Sequence, residues 1–440
     1  MKIEIITSDD PLNDPAVLAV RDKLRAGGQT AIGTGKVEVS DDVSNVIDDV
    51  KARGDEAVIE WTNRFDGSHV KSETLRVPPE QLQKAHAGLE RGFLKLIRKV
   101  VENISEYQRH IAVKAADPVK RGGRTLGVRY KPIDRVGVYV PGWKGQYPST
   151  MLMTVVPAQV AGVPEIAIAC PPSVHGDIDP MVLGLAAELG VDEVYRMSGA
   201  QAIAALAIGT ETIRPVDKIV GPGNAFVAEA KRQVFGRVGI DCTAGPSEVL
   251  IVADDTARAD WLAADMLAQA EHDPGSAVLV TPSRKLADAV AAAIEEQLPA
   301  LERKEAIRAA LEEYSKIIVV PDINLACEVA NEFATEHLQI VTADDEAALA
   351  KIRHAGAIFL GAATPVPLGD YYAGPSHVLP TGGTARFFGP LSVNDFLKAS
   401  SVIRYDQAAL AEDTKDVIDF ARREGLTAHA RAVEIRKPKH

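Results

Sequence analysis

Gln269 and His272 stand three residues apart at the end of an expected helix, so their side chains rise on one face of its last turn. An imidazole beside a hard oxygen donor is half of a zinc or manganese site, although a solvated helix end is the plainer outcome of such spacing. A second constellation is Asn331-Glu332-Phe333-Ala334-Thr335-Glu336-His337, where a helix end passes into a strand. In mid-strand Glu336 and His337 would point to opposite faces, but at a strand's first residues both can reach one cleft. A carboxylate beside an imidazole supplies proton-transfer groups that straddle neutrality, with a capped, half-exposed pair as the plainer alternative. Leu368-Gly369-Asp370-Tyr371-Tyr372-Ala373-Gly374-Pro375-Ser376-His377 offers a carboxylate, two phenols and an imidazole in a loop, against ordinary turn chemistry. Gly221-Pro222-Gly223-Asn224 lies between an expected strand and helix, where backbone N–H groups and a positive dipole end can meet a phosphate or carboxylate. A tight turn that needs glycine torsions explains it equally well. Glu424 and His429 follow the last expected helix, a place where surface roles are usual. His69, His86, His110, His175, His354 and His440 have no companions and read as surface or packing residues.

Elements must hold these groups in place. Val43, Val46, Ile47 and Val50 keep i, i+3, i+4, i+7 spacing after Ser40-Asp41-Asp42, which predicts a helix, and further helices are expected over 54–65, 79–87 and 90–109. Residues 1–30 mix Pro, Asp and Gly and read as an arm. From Arg135 onward, apolar runs alternate with helical patterns: strands at 136–140, 165–170, 193–197 and 218–220, each followed by a helix, predict a mostly parallel sheet covered on both faces. Ligands on such sheets bind at the carboxyl ends of the strands. A second run of the same kind has strands at 249–252, 277–280, 316–320, 337–341 and 357–360, with a helix running from about Thr256 to the Gln269/His272 pair. The fold class is therefore α/β. A last helix is expected over 407–423.

Hydrophobic residues make up 46% of the 440 and charged residues 25%, the composition of a globular enzyme of two to four domains. A net charge of −12 argues against nucleic acid or an anionic membrane as the main partner. Cys170, Cys242 and Cys327 are too few and too scattered for a disulfide framework, which fits a reducing cytoplasm. No apolar run follows Met1-Lys2-Ile3-Glu4, so no signal peptide is expected, and no stretch approaches the roughly 20 residues of a membrane helix.

Six ordered blocks resemble the histidinol dehydrogenase family over about residues 43–436. They are Lys218-Ile-Val-Gly-Pro-Gly-Asn-Ala-Phe-Val-Ala-Glu-Ala-Lys-Arg-Gln233, Ala244-Gly-Pro-Ser-Glu-Val249, Leu267-Ala-Gln-Ala-Glu-His-Asp273, Ala334-Thr-Glu-His-Leu338, Gly374-Pro-Ser-His-Val-Leu-Pro-Thr381 and Glu424-Gly-Leu-Thr-Ala-His429. The resemblance implies incomplete Rossmann-like sheets. It also implies a first α/β domain from 31–134 with 252–390, an NAD-binding domain at 135–251, and a 391–440 helical extension reaching the partner subunit of a homodimer. It implies one zinc per subunit held by Gln269, His272, Asp370 and His429, the last in trans. Glu336 and His337 would be the acid/base pair. Ser247, His337, His377, Glu424 and the metal ligands would hold substrate, and Tyr139, Gln201 and Asn224 would contact NAD.

The implied reaction is the final step of histidine synthesis: two NAD oxidise L-histidinol through L-histidinaldehyde to L-histidine. One departure stands out. After Pro141-Gly142 this chain carries Trp143-Lys144-Gly145-Gln146-Tyr147 where small residues are usual, and Ser376 replaces a common Asn. A lid variant accounts for this. The alternative is a paralogue that oxidises another small alcohol, such as a sulfopropanediol, with Lys144 facing the anion.

Overall fold

Strands whose two faces are both covered have no reason to alternate polar and apolar residues, and the runs here behave accordingly. The computed structural model describes residues 3–30, 37–142, 147–173, 175–242, 245–272 and 275–436. Arg135–Tyr139 is buried along its whole length at the centre of a five-stranded parallel sheet. The strand order in that sheet is Glu193–Arg196, Glu165–Cys170, Arg135–Tyr139, Lys218–Val220, Gly239–Ile240. A six-stranded parallel sheet runs Ile5–Thr7, Lys316–Val319, Gly275–Thr281, Ser247–Ala253, His337–Val341, Ala357–Leu360. Apart from the added edge strand Ile5–Thr7, both sheets share one order: third, second, first, fourth, fifth. This is a doubly wound arrangement with a crevice where the order reverses.

Alternate residues of each strand feed cores on opposite faces. In the five-stranded sheet Val136 and Val138 pack with the helices Arg91–Ile111, Pro148–Ala161 and Pro180–Glu188. Tyr139, Ala167 and Tyr195 pack on the other side with Val37–Arg53, Asp55–Asp66 and Gly199–Ile208. The six-stranded sheet divides likewise: Val249 and Ile251 face the helices Ala259–Ala270, Arg284–Gln297 and Lys304–Tyr314, while Leu250 and Val252 face Ile323–Phe333.

The packing departs from the sequence expectations in three places. The expected arm is woven into the six-stranded sheet: Ile5–Thr7 pairs with Ile317–Val319, and Val17, Val20 and Leu24 are buried in its core. The helices between Val37 and Ile111 were grouped with 252–390, yet their apolar faces join the cores of the five-stranded sheet. The segment 391–440 is also not wholly helical. Leu397–Tyr405 pairs antiparallel with Arg124–Pro132, which pairs with Val119–Arg121, forming a three-stranded sheet. Eight of the nine residues of Leu397–Tyr405 are exposed, so the strand carries no hydrophobic pattern to reveal it. The helices Gln407–Arg423 and Thr427–Glu434 then pack on each other around Ile418, Ala421 and Ala430. Among the described residues no helix is long and apolar enough to cross a membrane.

Candidate active site

The amino ends of the six-stranded sheet carry the proton-transfer groups. His337 opens its strand and pairs in register with Val249, one residue past Glu248. Gln269 lies in the last turn of Ala259–Ala270, and that helix delivers the chain to the start of Gly275–Thr281, where Gly275 pairs with Ser247. A side chain on Gly275 would collide with the Gln269 carbonyl oxygen, so glycine lets the helix end seat directly over the strand. His272 falls just beyond the helix, with its N–H bonded to the Gln269 carbonyl at 3.3 Å. Asp370 is not in an irregular loop. It lies in the short helix Val366–Tyr371, which returns from the carboxyl end of the last strand.

The strand start resolves the opposed directions of Glu336 and His337: Glu336 Oε2 is 3.6 Å from His337 Nδ1, and Asp370 Oδ1 is 3.7 Å from His337 Nε2. Neither distance is a hydrogen bond, and both ring nitrogens are buried without partners. The Phe359 ring meets the His337 ring edge to face at 5.7 Å, fixing its tilt. His377 donates its Nδ1–H to the Asp370 carbonyl oxygen at 2.9 Å, and its Nε2 is 3.4 Å from the Thr150 hydroxyl. Glu336 Oε2 accepts the Glu248 N–H at 2.9 Å. Glu248 Oε1 in turn accepts the Glu336 N–H at 3.2 Å and the Gly382 N–H at 3.0 Å.

Burial sets the charges. It pushes the His337 imidazole down to about 3, helped by the nearby His272, and His377 down to about 4. Desolvation also lowers His272, although part of its surface is open. The carboxyls move the other way: burial lifts Asp370 to about 6, Glu248 to about 8 and Glu336 well above the usual carboxylate range. Neutral imidazoles thus sit among carboxyls whose proton affinities burial has raised.

Tyr139, Gln201 and Asn224 gather at the carboxyl ends of the five-stranded sheet. The Tyr139 hydroxyl accepts the Gly199 N–H at 3.2 Å, and Gln201 Nε2 donates to Thr62 at 3.3 Å while its Oε1 is buried without a partner. Asn224 caps the helix Ala225–Val234, accepting the N–H groups of Phe226 and Val227 at 3.1 Å each. Gly221 is at φ 115°, and a side chain there would strike the Tyr139 carbonyl oxygen. Both peptide groups of Gly221 are held from beneath: its N–H donates to Asp241 at 2.7 Å and its carbonyl accepts from Lys231 at 3.1 Å. Lys231 and Asp241 form an ion pair whose side chains are 3% and 2% exposed. The turn therefore depends on glycine at Gly221, and the first helix amides beyond it are held by the Asn224 side chain.

The segment 376–377 is tied to the helix that follows Arg135–Tyr139 by the His377–Thr150 contact and the bond from Ser376 Oγ to the Met153 carbonyl at 3.1 Å. Asp370 and His272 lie near His337, but among the described residues no three His, Cys, Asp or Glu side chains close into a metal cage. The donors nonetheless suit a borderline metal: an imidazole, a carboxylate and Gln269, whose amide nitrogen is buried and unpartnered. Glu424 and His429 are exposed and make no hydrogen bond or ion pair with this cluster among the described residues. Trp143, Lys144, Gly145 and Gln146 lie outside the described residues, and Tyr147 is 39% exposed. Sequence reasoning passed over Glu248, Phe359 and Thr150. The signal for Glu248 was a carboxylate opening an otherwise apolar run, Val249-Leu-Ile-Val252.

Buried proton-transfer groups set against turns of dinucleotide-binding type define an oxidoreductase of the α/β class. A sequence profile of the family described as histidinol dehydrogenase matches residues 31–437. The histidinol dehydrogenase of Geobacillus kaustophilus is 50% identical, covering 95% of this chain and 99% of that protein. That of Rhodopirellula baltica is 46% identical, covering 99% and 97%. The crystal structure of histidinol dehydrogenase from Elizabethkingia anophelis superposes with a TM-score of 0.90 at 32% identity, covering 99% of this chain and 98% of that one. The chain belongs to the histidinol dehydrogenase family and is an NAD-dependent oxidoreductase of histidine biosynthesis.

Proposed function

We propose that the chain oxidises L-histidinol through enclosed L-histidinaldehyde to L-histidine, using Glu336 and His337 as the acid/base pair. The observation that carries this reading is the His337 ring set between the Glu336 and Asp370 carboxyls, with His377 bonded to the Asp370 carbonyl and beside Thr150 of the helix that follows the Tyr139 strand. His337 is neutral and its ring nitrogens are unpartnered, so it takes the alcohol proton as the carbinol carbon loses hydride. Bound NAD supplies the hydride acceptor, one molecule for each of the two oxidations. Glu336 takes a proton from water as the water oxygen adds to the aldehyde carbon, and loss of a second hydride from the resulting diol leaves the carboxylate. The overall balance is alcohol, water and two NAD to carboxylate, two NADH and three protons.

Gln269, His272 and Asp370 are the residues of this chain suited to hold zinc, with His429 of a second copy as the fourth ligand. Zinc, when bound, supplies a Lewis-acidic anchor for the amino alcohol. Ser247 and His377 line the same space, and Glu424 from the second copy completes the substrate's surroundings. A homodimer accords with the exposed apolar residues around the C-terminal helices: Phe420 is 67% and Ile435 60% exposed. Tyr139, Gln201 and Asn224 serve NAD. NADH formation on L-histidinol, with and without a chelator, tests the proposal. Turnover on a sulfonated propanediol with none on histidinol would overturn it in favour of the paralogue reading.

A further inference from the structure

A buried carboxyl that the reaction above does not use lies directly behind one that it does. Glu248 is 2% exposed, in the central strand of the six-stranded sheet. Its relation to Glu336 is reciprocal: each residue's carboxyl accepts the other's backbone N–H, at 2.9 and 3.2 Å. The same Glu248 oxygen also accepts the Gly382 N–H at 3.0 Å, so one atom ties together three segments that meet at the site. Glu336 is the residue just before its strand, where the regular ladder ends and its N–H would otherwise lack an acceptor. The Glu248 side chain supplies that acceptor, and the Glu248 backbone in turn aims the Glu336 carboxylate by holding one of its two oxygens.

We propose that Glu248 is a positioning residue for Glu336, fixing the carboxylate that serves the aldehyde-oxidising half of the reaction. This rests on the role given to Glu336 above. The contribution is geometric: the reach of a glutamate is needed to accept from the start of the neighbouring strand and from the 382 turn at once. Its carboxyl is mostly protonated at pH 7, because burial outweighs the two N–H donors. An amide of the same length therefore replaces it closely.

The test uses zinc-loaded, full-length enzyme with NAD and L-histidinaldehyde, alongside L-histidinol. Glu248→Ala is expected to lower kcat on the aldehyde by about 100-fold, the scale on which a misplaced catalytic group costs rate, with KM for NAD unchanged. Glu248→Gln restores most of that loss, because its amide oxygen accepts the same two N–H groups. The first NADH formed from histidinol falls far less than the second. If Glu248→Ala does not fold, Glu248→Asp carries the test: one methylene shorter, it cannot reach both donors, and the same selective loss is expected. Full aldehyde oxidation by a folded Ala or Asp variant overturns the proposal, as does a Gln variant no better than Ala. Glu336→Gln is measured in parallel. If it spares the aldehyde step, the reading of Glu336 fails and the proposal with it; if it abolishes that step while Glu248→Ala does not, only the proposal fails.

Discussion

The Asp370 carboxylate stands 3.7 Å from Nε2 of His337, too far to take its proton and near enough to share a ligand with it. Such a gap between two buried polar groups is costly unless something bridges it. The divalent cation proposed above, held by Asp370 beside the substrate, would relieve that cost. Removing metal with a chelator is therefore expected to abolish NADH formation from L-histidinol while leaving circular dichroism intact, with zinc restoring activity at one equivalent per subunit. Asp370→Asn is expected to lower zinc content as well as turnover. Full activity in protein shown by elemental analysis to be metal-free would refute this.

Glu336 and His337 are assigned different halves of one reaction, and this can be separated. Glu336→Gln is expected to retain the first hydride transfer and lose roughly 100- to 10,000-fold in the second, the range of a missing general base. A single-turnover experiment should show one NADH per site where the parent enzyme gives two. Equal loss of both would mean that the two residues act as one unit.

The Lys231–Asp241 pair supports the Gly221 turn with almost no solvent contact. Breaking a buried pair from one side leaves an uncompensated charge, so Lys231→Met is expected to cost about 3–5 kcal/mol in denaturant unfolding. Gly221→Ala should act more locally. At φ 115° and against the Tyr139 carbonyl, it is expected to raise KM for NAD more than it lowers kcat. An unchanged KM would detach this turn from the cofactor.

Glu248 gives stability a pH dependence of known sign. Burial pushes its folded carboxyl up to about 8 from an ordinary 4.5, so between these pH values the folded chain holds a proton that the unfolded chain has lost. The associated stability is complete below about pH 4.5 and is lost as pH rises toward 8. Glu248→Gln removes the titration. Melting temperatures of the two proteins should therefore diverge in favour of the variant as pH is raised from 5 to 8. Parallel curves would show that Glu248 is ionised throughout.

His429 acting across a dimer predicts complementation. Mixed dimers of His429→Asn and His337→Asn chains contain one site with both residues intact if His429 is donated by the partner, and none if it serves its own chain. Recovery of histidinol oxidation after subunit exchange, above that of either variant alone, is expected. Mixed dimers without activity would place His429 in its own chain's site or in none.

Much was legible in the one-dimensional pattern because its causes are local. Glu165–Cys170 and Ser247–Ala253 announce buried strands by their composition, and Val37–Arg53 its helix by its period. The pairs Gln269/His272 and Glu336/His337 could be singled out because neighbours in sequence at element ends are neighbours in space. The exposed strand Leu397–Tyr405 escaped because its partner, Arg124–Pro132, is more than 260 residues away and its own side chains are almost all exposed. The edge strand Ile5–Thr7 escaped because three residues carry no period.

By itself the sequence determined the α/β class, the order of strands and helices, and which side chains had chemistry to offer, since these follow from short-range pattern and residue type. Tertiary structure alone decided that the two sheets, alike in strand order, use opposite ends: the carboxyl ends of one carry Tyr139 and Asn224, and the amino ends of the other carry Glu336 and His337. It also decided that Glu248 and Glu336, 88 residues apart, hold each other. Long-range closure of the chain creates such contacts, and no local propensity encodes them.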